Sequence, residues 1–378
     1  MSGPDWRGAF AEGVQAAEEL LLRALHAVGL APDVHGQPGW PFARRIAVET
    51  LALDGGLTRQ FALALACAGV ALLVLGLGLA WARARWPCVG LATALLVLAP
   101  WPAGRVVLAP ASPTSFHRAP DGFAAGAIVH GAAIYARECA SCHGARGDAE
   151  GPRAASLATW PPRLDGELLW RRFDGEVFWR IAHGMPAMPA TAGRLSDADL
   201  WSTIAAMKAQ AAGEGLRAEG AWGAPVRAPD ALVACDSGWA PRALSSLRGL
   251  VRVVADVPGA SAVAEDPRLS TVHLAPPGSG AAGSCRIADP AAWDAFARVS
   301  GLQPSALAGA QWLVDRQGWL RAFARPGSAG WSRDDLLCRA ATRPAPPVPR
   351  GGDALDALLA AIDATPIRMP AFGPAHST

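Results

Sequence analysis

The sequence predicts a multidomain chain: two transmembrane α-helices, an all-α domain behind them, and an α/β domain toward the carboxyl end. Three observations predict it. Residues 61–81 carry no charge, residues 139–143 read Cys-Ala-Ser-Cys-His within helical patterning, and apolar strand-like runs alternate with turns beyond residue 244. Composition agrees, because 51% of the 378 residues are hydrophobic, which is rich for a wholly soluble chain. Thirty-four basic residues against thirty-two acidic ones leave a net charge of +2, with Lys208 the only lysine. No basic stripe with interleaved aromatics appears, so a nucleic-acid partner is not expected.

From the amino terminus, residues 6–28 mix acidic and apolar positions as a surface helix does. Gly39-Trp40-Pro41-Phe42 ahead of Arg44 and Arg45 reads as a membrane-interface segment. His26 and His35 have no cysteine or close histidine to complete a metal site. Residues 61–81 cover roughly 30 Å of hydrocarbon at helical rise. A shorter apolar run, residues 86–103, is broken near its end by Pro100 and Pro102 and is read as a second span; the alternative is a segment lying along the membrane surface. Arg83 and Arg85 between the two runs belong in the cytoplasm by the positive-inside tendency, which puts both flanks of the hairpin on the opposite side. Arg44, Arg45 and Arg59 pull weakly the other way, and no signal-peptide core precedes them.

In Cys139-Ala140-Ser141-Cys142-His143, two thiols stand at the spacing that forms thioethers to the vinyl groups of a haem, with the next imidazole placed as an axial iron ligand. A redox dithiol would need its own β-α-β surroundings, and a zinc site two further ligands; neither is nearby. The opposite axial position falls to the run Gly184-Met185-Pro186-Ala187-Met188-Pro189, in which Met188 is the expected ligand and Met185 its competitor. His183 is a weaker rival. Ser196 follows as the N-cap of a new helix with acidic residues in its first turn.

With these residues in view, residues 128–210 resemble the small single-haem class I c-type cytochromes. Gly131, Tyr135, Cys139, Cys142, His143 and Gly144 match that family's opening helix and attachment turn. Gly147-Asp148, Gly151-Pro152 and Trp160-Pro161-Pro162 match its haem-edge loops, and Met188-Pro189 with Leu195-Ser196-Asp197 its closing half. The resemblance implies one covalent haem c held by Cys139, Cys142, His143 and Met188, with His143 and Met188 as iron ligands. Gly131 is expected where the first and last helices cross, and Tyr135 to pack on Trp201 or Ile204. The segment before this region, with the tether at residues 111–116, resembles the tail of a copper-resistance D-type membrane domain, though with fewer spans than that family's core.

Beyond Gln210 an Ala/Gly-rich stretch to about residue 241 reads as linker. Residues 250–257 and 270–274 then read as buried strands separated by a helix, residues 310–315 and 319–323 as a hairpin about Arg316-Gln317-Gly318, and residues 331–341 as a helix. That order resembles a thioredoxin-like domain, including the phrase Leu313-Val314-Asp315-Arg316-Gln317-Gly318. The Cys-x-x-Cys is missing, so the expected role is binding rather than thiol exchange, with a one-cysteine enzyme as the alternative. Cys67 and Cys88 fall in the spans; in an oxidising periplasm two of Cys235, Cys285 and Cys338 could pair, in a combination the sequence leaves open, and the alternative is three buried, inert thiols. Met369 and His376 in the tail are candidate copper contacts by ligand type.

The expected domains are a helical and interfacial segment at 1–60, a transmembrane hairpin at 61–104, a tether at 105–124, the haem domain at 125–212, a linker at 213–243, the thioredoxin-like domain at 244–342 and a tail at 343–378. The expected function is electron transfer in a bacterial inner membrane, with the haem domain facing the periplasm. The partners expected are the membrane and redox proteins: a quinol-oxidising complex, a terminal oxidase or a soluble cytochrome. The rivals are a copper-handling or redox-sensing protein and a structural subunit of a larger oxidoreductase. The chain is expected to be an electron carrier and not an enzyme by itself.

Overall fold

The computed structural model describes all residues except 1–5, 82, 167–168, 237–239, 258, 260–262, 280–282, 288, 329, 333–334, 338–352 and 368–378. Cys338, Met369 and His376 therefore lie outside the described residues. The chain divides into two compact units, which meet in sequence after Phe116.

The first unit begins with helix α1 (Trp6–Ala27), followed by a small hairpin of β1 (Asp33–Val34) and β2 (Gln37–Pro38). Strand β3 (Arg44–Ile46) leads through α2 (Val48–Leu53) into α3 (Gly55–Ala80), then α4 (Arg85–Leu98), α5 (Gly104–Val107) and β4 (Leu108–Pro110). Asp54 caps α3 by accepting the amides of Gly56 and Leu57 at 2.8 and 3.0 Å, so the helix starts ahead of the uncharged run. Leu72, Leu73, Leu77 and Leu79 stand out from α3, as in a helix whose solvent is lipid. Among the described residues only α3 is long and apolar enough to cross a membrane. Helix α4 has 14 residues, too short for the second span expected at 86–103 to cross unaided, because the helix ends at Leu98 just before Pro100 and Pro102. Strands β3 and β4 pair antiparallel, Arg45 opposite Ala109, which brings together the chain entering α3 and the chain leaving α4. Trp40 binds this junction, donating its indole N–H to Arg44 O at 2.9 Å and packing its ring on Phe116.

The second unit opens with α6 (Ala125–Glu138), the short α7 (Ala140–His143), α8 (Asp174–His183) and the long α9 (Asp197–Glu219). Ser196 caps α9 in a reciprocal box with Asp199. Helices α6 and α9 cross at Gly131, where a Cβ would stand 1.8 Å from Ser202 O; only glycine permits this approach. Behind them lies a seven-stranded sheet of β5 (Leu232–Cys235), β6 (Arg242–Ala243), β7 (Val251–Ala255), β8 (Ser270–Leu274), β9 (Cys285–Ile287), β10 (Gln311–Val314) and β11 (Leu320–Ala324), in the order β11-β10-β7-β8-β9-β5-β6. The β7–β8 and β8–β9 pairs are parallel and the others antiparallel. Helix α10 (Pro290–Val299) packs against both α6 and α9, and α11 (Ala354–Ala364) covers Leu313 and Ala322 on the other face.

Several expectations change here. Helix α9 runs to Glu219 and Trp222, Ala224, Val226 and Ala228 are buried, so the expected linker is packed structure. No helix lies between β7 and β8 among the described residues, and the described parts of 331–341 form no α-helix; α11 is the α-helix described in that part of the chain. One apolar core joins Ile128, Ala205, Ala209 and Leu216 of the helices to Val253, Leu274, Phe296 and Trp312 of the α/β part. Cys235 and Cys285, opposite each other on β5 and β9, form the disulfide.

Candidate functional site

The attachment run lies at the turn from α6 into α7. Cys139 ends α6, and its carbonyl accepts the amides of Cys142 and His143, so a single helical turn holds both cysteines and the histidine. Cys139 and Cys142 are free thiols, and burial pushes Cys139 up to about 11. Tyr135, one turn earlier, is buried with Trp201 and Ile204 and donates its hydroxyl to Gly144 O at 2.9 Å, tying α6 to the end of the turn.

His143 is 9% exposed, and its Nδ1–H donates to Pro162 O at 3.2 Å. That bond fixes the ring and leaves Nε2 free to ligate a metal, as histidine ligands are usually oriented. Burial lowers the His143 pKa, opposed by the bond to Pro162, which favours the neutral imidazole that binds metals.

The opposite wall comes from α8 and the turn after it. Met185 and Met188 exchange both backbone hydrogen bonds, at 2.9 and 2.8 Å, which closes the Met-Pro-Ala-Met turn and puts both side chains on one face. Gly184, at φ +74°, precedes the turn, and a Cβ there would meet Met188 O at 2.5 Å. Thr191 pins the far side by donating its hydroxyl to Ile181 O at 2.8 Å.

Between these walls lies a cleft of two adjoining lobes, about 430 and 370 Å³, which share Cys139, His143, Pro162, Ile181, Met185 and Met188. Cys142 and Trp160 line one lobe; Leu169, Val177 and Met207 line the other. The fold thus brings Cys139, Cys142, His143 and Met188 together at one apolar cleft. Met185 reaches it too, but is 41% exposed, whereas Met188 packs against the core around Tyr135 and Ile181. His183 does not: its Nδ1 bonds to Trp179 O at 3.1 Å, its ring stacks on Trp179, and it lines neither lobe. Met207 was missed by the sequence reading. Its spacing after Leu200 and Ile204 on α9 was the available signal for an inward face.

Residues 126–205 match the family model described as Cytochrome C oxidase, cbb3-type, subunit III. This region is a c-type cytochrome domain. Such a domain implies covalently bound haem c, and the site fits it: two free thiols one helical turn apart, an oriented imidazole and an apolar cleft. The cytochrome domain supports an electron-transfer haem protein. No curated protein matches the chain. Among the described residues no group of three or more His, Cys, Asp or Glu side chains could hold a separate metal ion.

Proposed function

We propose that the chain is a membrane-anchored, periplasm-facing electron carrier with one haem c, bound through Cys139 and Cys142 and ligated by His143 and Met188. The observation that carries this reading is the His143 Nδ1–H bond to Pro162 O across the cleft from the partly buried Met188. Haem c, when bound, supplies a one-electron couple. His143 is held neutral and oriented, the Met185–Met188 turn presents a thioether, and Leu169, Val177, Ile181 and Met207 exclude water from the cleft. A thioether opposite an imidazole favours a high reduction potential, suited to passing electrons onward.

The pairing of β3 with β4 supports a hairpin reading of α3 and α4, with both flanks on the periplasmic side and Arg83 and Arg85 on the other. The order β11-β10-β7-β8, with a parallel central pair and an antiparallel hairpin, supports a thioredoxin-like reading of the α/β part as a binding module. The matched description supports a terminal oxidase as electron acceptor or host complex. On this reading the chain carries electrons and catalyses no reaction alone.

Spectroelectrochemistry of the detergent-solubilised full chain tests the reading. Met188→Ala should lose the far-red sulfur-to-iron band and lower the potential, while Met185→Ala keeps both. The reverse pattern would assign the ligand to Met185.

A further inference from the structure

Lys208 is the only lysine in the chain, and it is buried in the cytochrome domain. Its side chain is 1% exposed and ion-paired with Asp174, 4% exposed. The ammonium also lies 5.2 Å from the centre of the Trp170 ring, whose N–H donates to Lys208 O at 2.9 Å. Neither member lines the cleft, but each shares a helix with residues that do. Asp174 opens α8, which carries Val177 and Ile181, and Lys208 follows Met207 on α9. Burial raises the Asp174 pKa, opposed by Lys208 and, more weakly, by Arg227 and Arg118.

Such a pair is a poor device for stability, because desolvating two charges costs about what their attraction returns. Its position gives it another role. In a low-dielectric interior a charge acts strongly over several ångströms, and two compensating charges cancel most of that effect. We propose that the Asp174–Lys208 pair sets the electrostatic potential at the haem cleft, so that uncovering either charge moves the reduction potential in opposite directions. The proposal rests on the haem reading of the cleft. Reduction adds a negative charge at the iron, so an uncompensated Lys208 favours the reduced form and an uncompensated Asp174 carboxylate opposes it. Both are positioning residues that touch neither haem ligand.

The test is the midpoint potential of the full chain and its variants. Asp174→Asn should raise it, Lys208→Met should lower it at alkaline pH, where Asp174 is ionised, and the double variant should return close to the parent; Lys208→Arg should leave it in place. Shifts of one sign in both single variants, or no shift in either, with haem content and the far-red band intact, would overturn the proposal. Should Asp174→Asn fail to fold, the double variant against Lys208→Met reads the same sign: recovery supports the proposal and a potential that stays low contradicts it. Loss of covalent haem from the parent chain would instead overturn the haem reading on which the proposal rests.

Discussion

Single residues decide two features that can be tested directly. Gly131 seats α6 on α9 with no room for a side chain, and a methyl group there would press on Ser202 and Thr203 backbone. Gly131→Ala should therefore destabilise the cytochrome domain toward the upper end of roughly 1–3 kcal/mol, read from thermal unfolding of the full chain. A neutral substitution would mean the helices separate at little cost. Glu18 presents a different case: burial raises it from the usual 4.5 to about 7, although its Oε1 accepts the Ile46 amide at 2.7 Å. The folded state then holds a proton that the unfolded state has released, so this contribution is full below about 4.5 and is lost as pH rises through about 7. Protection of the Ile46 amide from hydrogen exchange, corrected for intrinsic rate, should fall across that interval, and Glu18→Gln should flatten the profile. An unchanged slope in the variant would assign the effect elsewhere. The Cys139–His143 run was legible at this scale because covalent haem chemistry would demand that fixed spacing, and the fold brings its side chains to one cleft. Met207 was not, since a methionine on a buried helical face looks like any core residue.

Elements were legible where short apolar runs, buried on both faces, are bounded by turn residues. Strand β8 was expected at residues 270–274 and lies there, and the hairpin around Arg316-Gln317-Gly318 pairs as its turn residues require. Asp315 supports that turn by accepting the amides of Gln317 and Trp319. The end of α9 was misread because alanine and glycine resemble linker composition; in the fold Ala209, Ala212 and Leu216 belong to the core that α9 shares with α10. That shared core carries a prediction about independence. A fragment of residues 242–343 would expose the α10 face that packs on α6 and α9 and should be insoluble or molten, while residues 117–367 should fold cooperatively. Sharp near-ultraviolet circular dichroism from the shorter fragment would contradict the common core.

At the scale of the whole molecule, a unit whose described residues include one apolar helix of spanning length precedes a unit that contains the cleft between His143 and Met188. The hairpin reading predicts that Leu20→Cys, exposed on α1, reacts with a membrane-impermeant thiol reagent in intact spheroplasts; labelling only after lysis would favour a single span. Topology was half legible, because hydropathy finds α3 while the closure of its flanks depends on β3 and β4, strands of three residues each that lack a sequence signal of their own. The central claim concerns Cys139 and Cys142. It is tested most directly by covalent haem staining and intact mass of the denatured parent chain beside the Cys139→Ala/Cys142→Ala variant. One haem adduct on the parent and none on the variant is the predicted result; an adduct that survives the double substitution, or a parent chain without one, would contradict it.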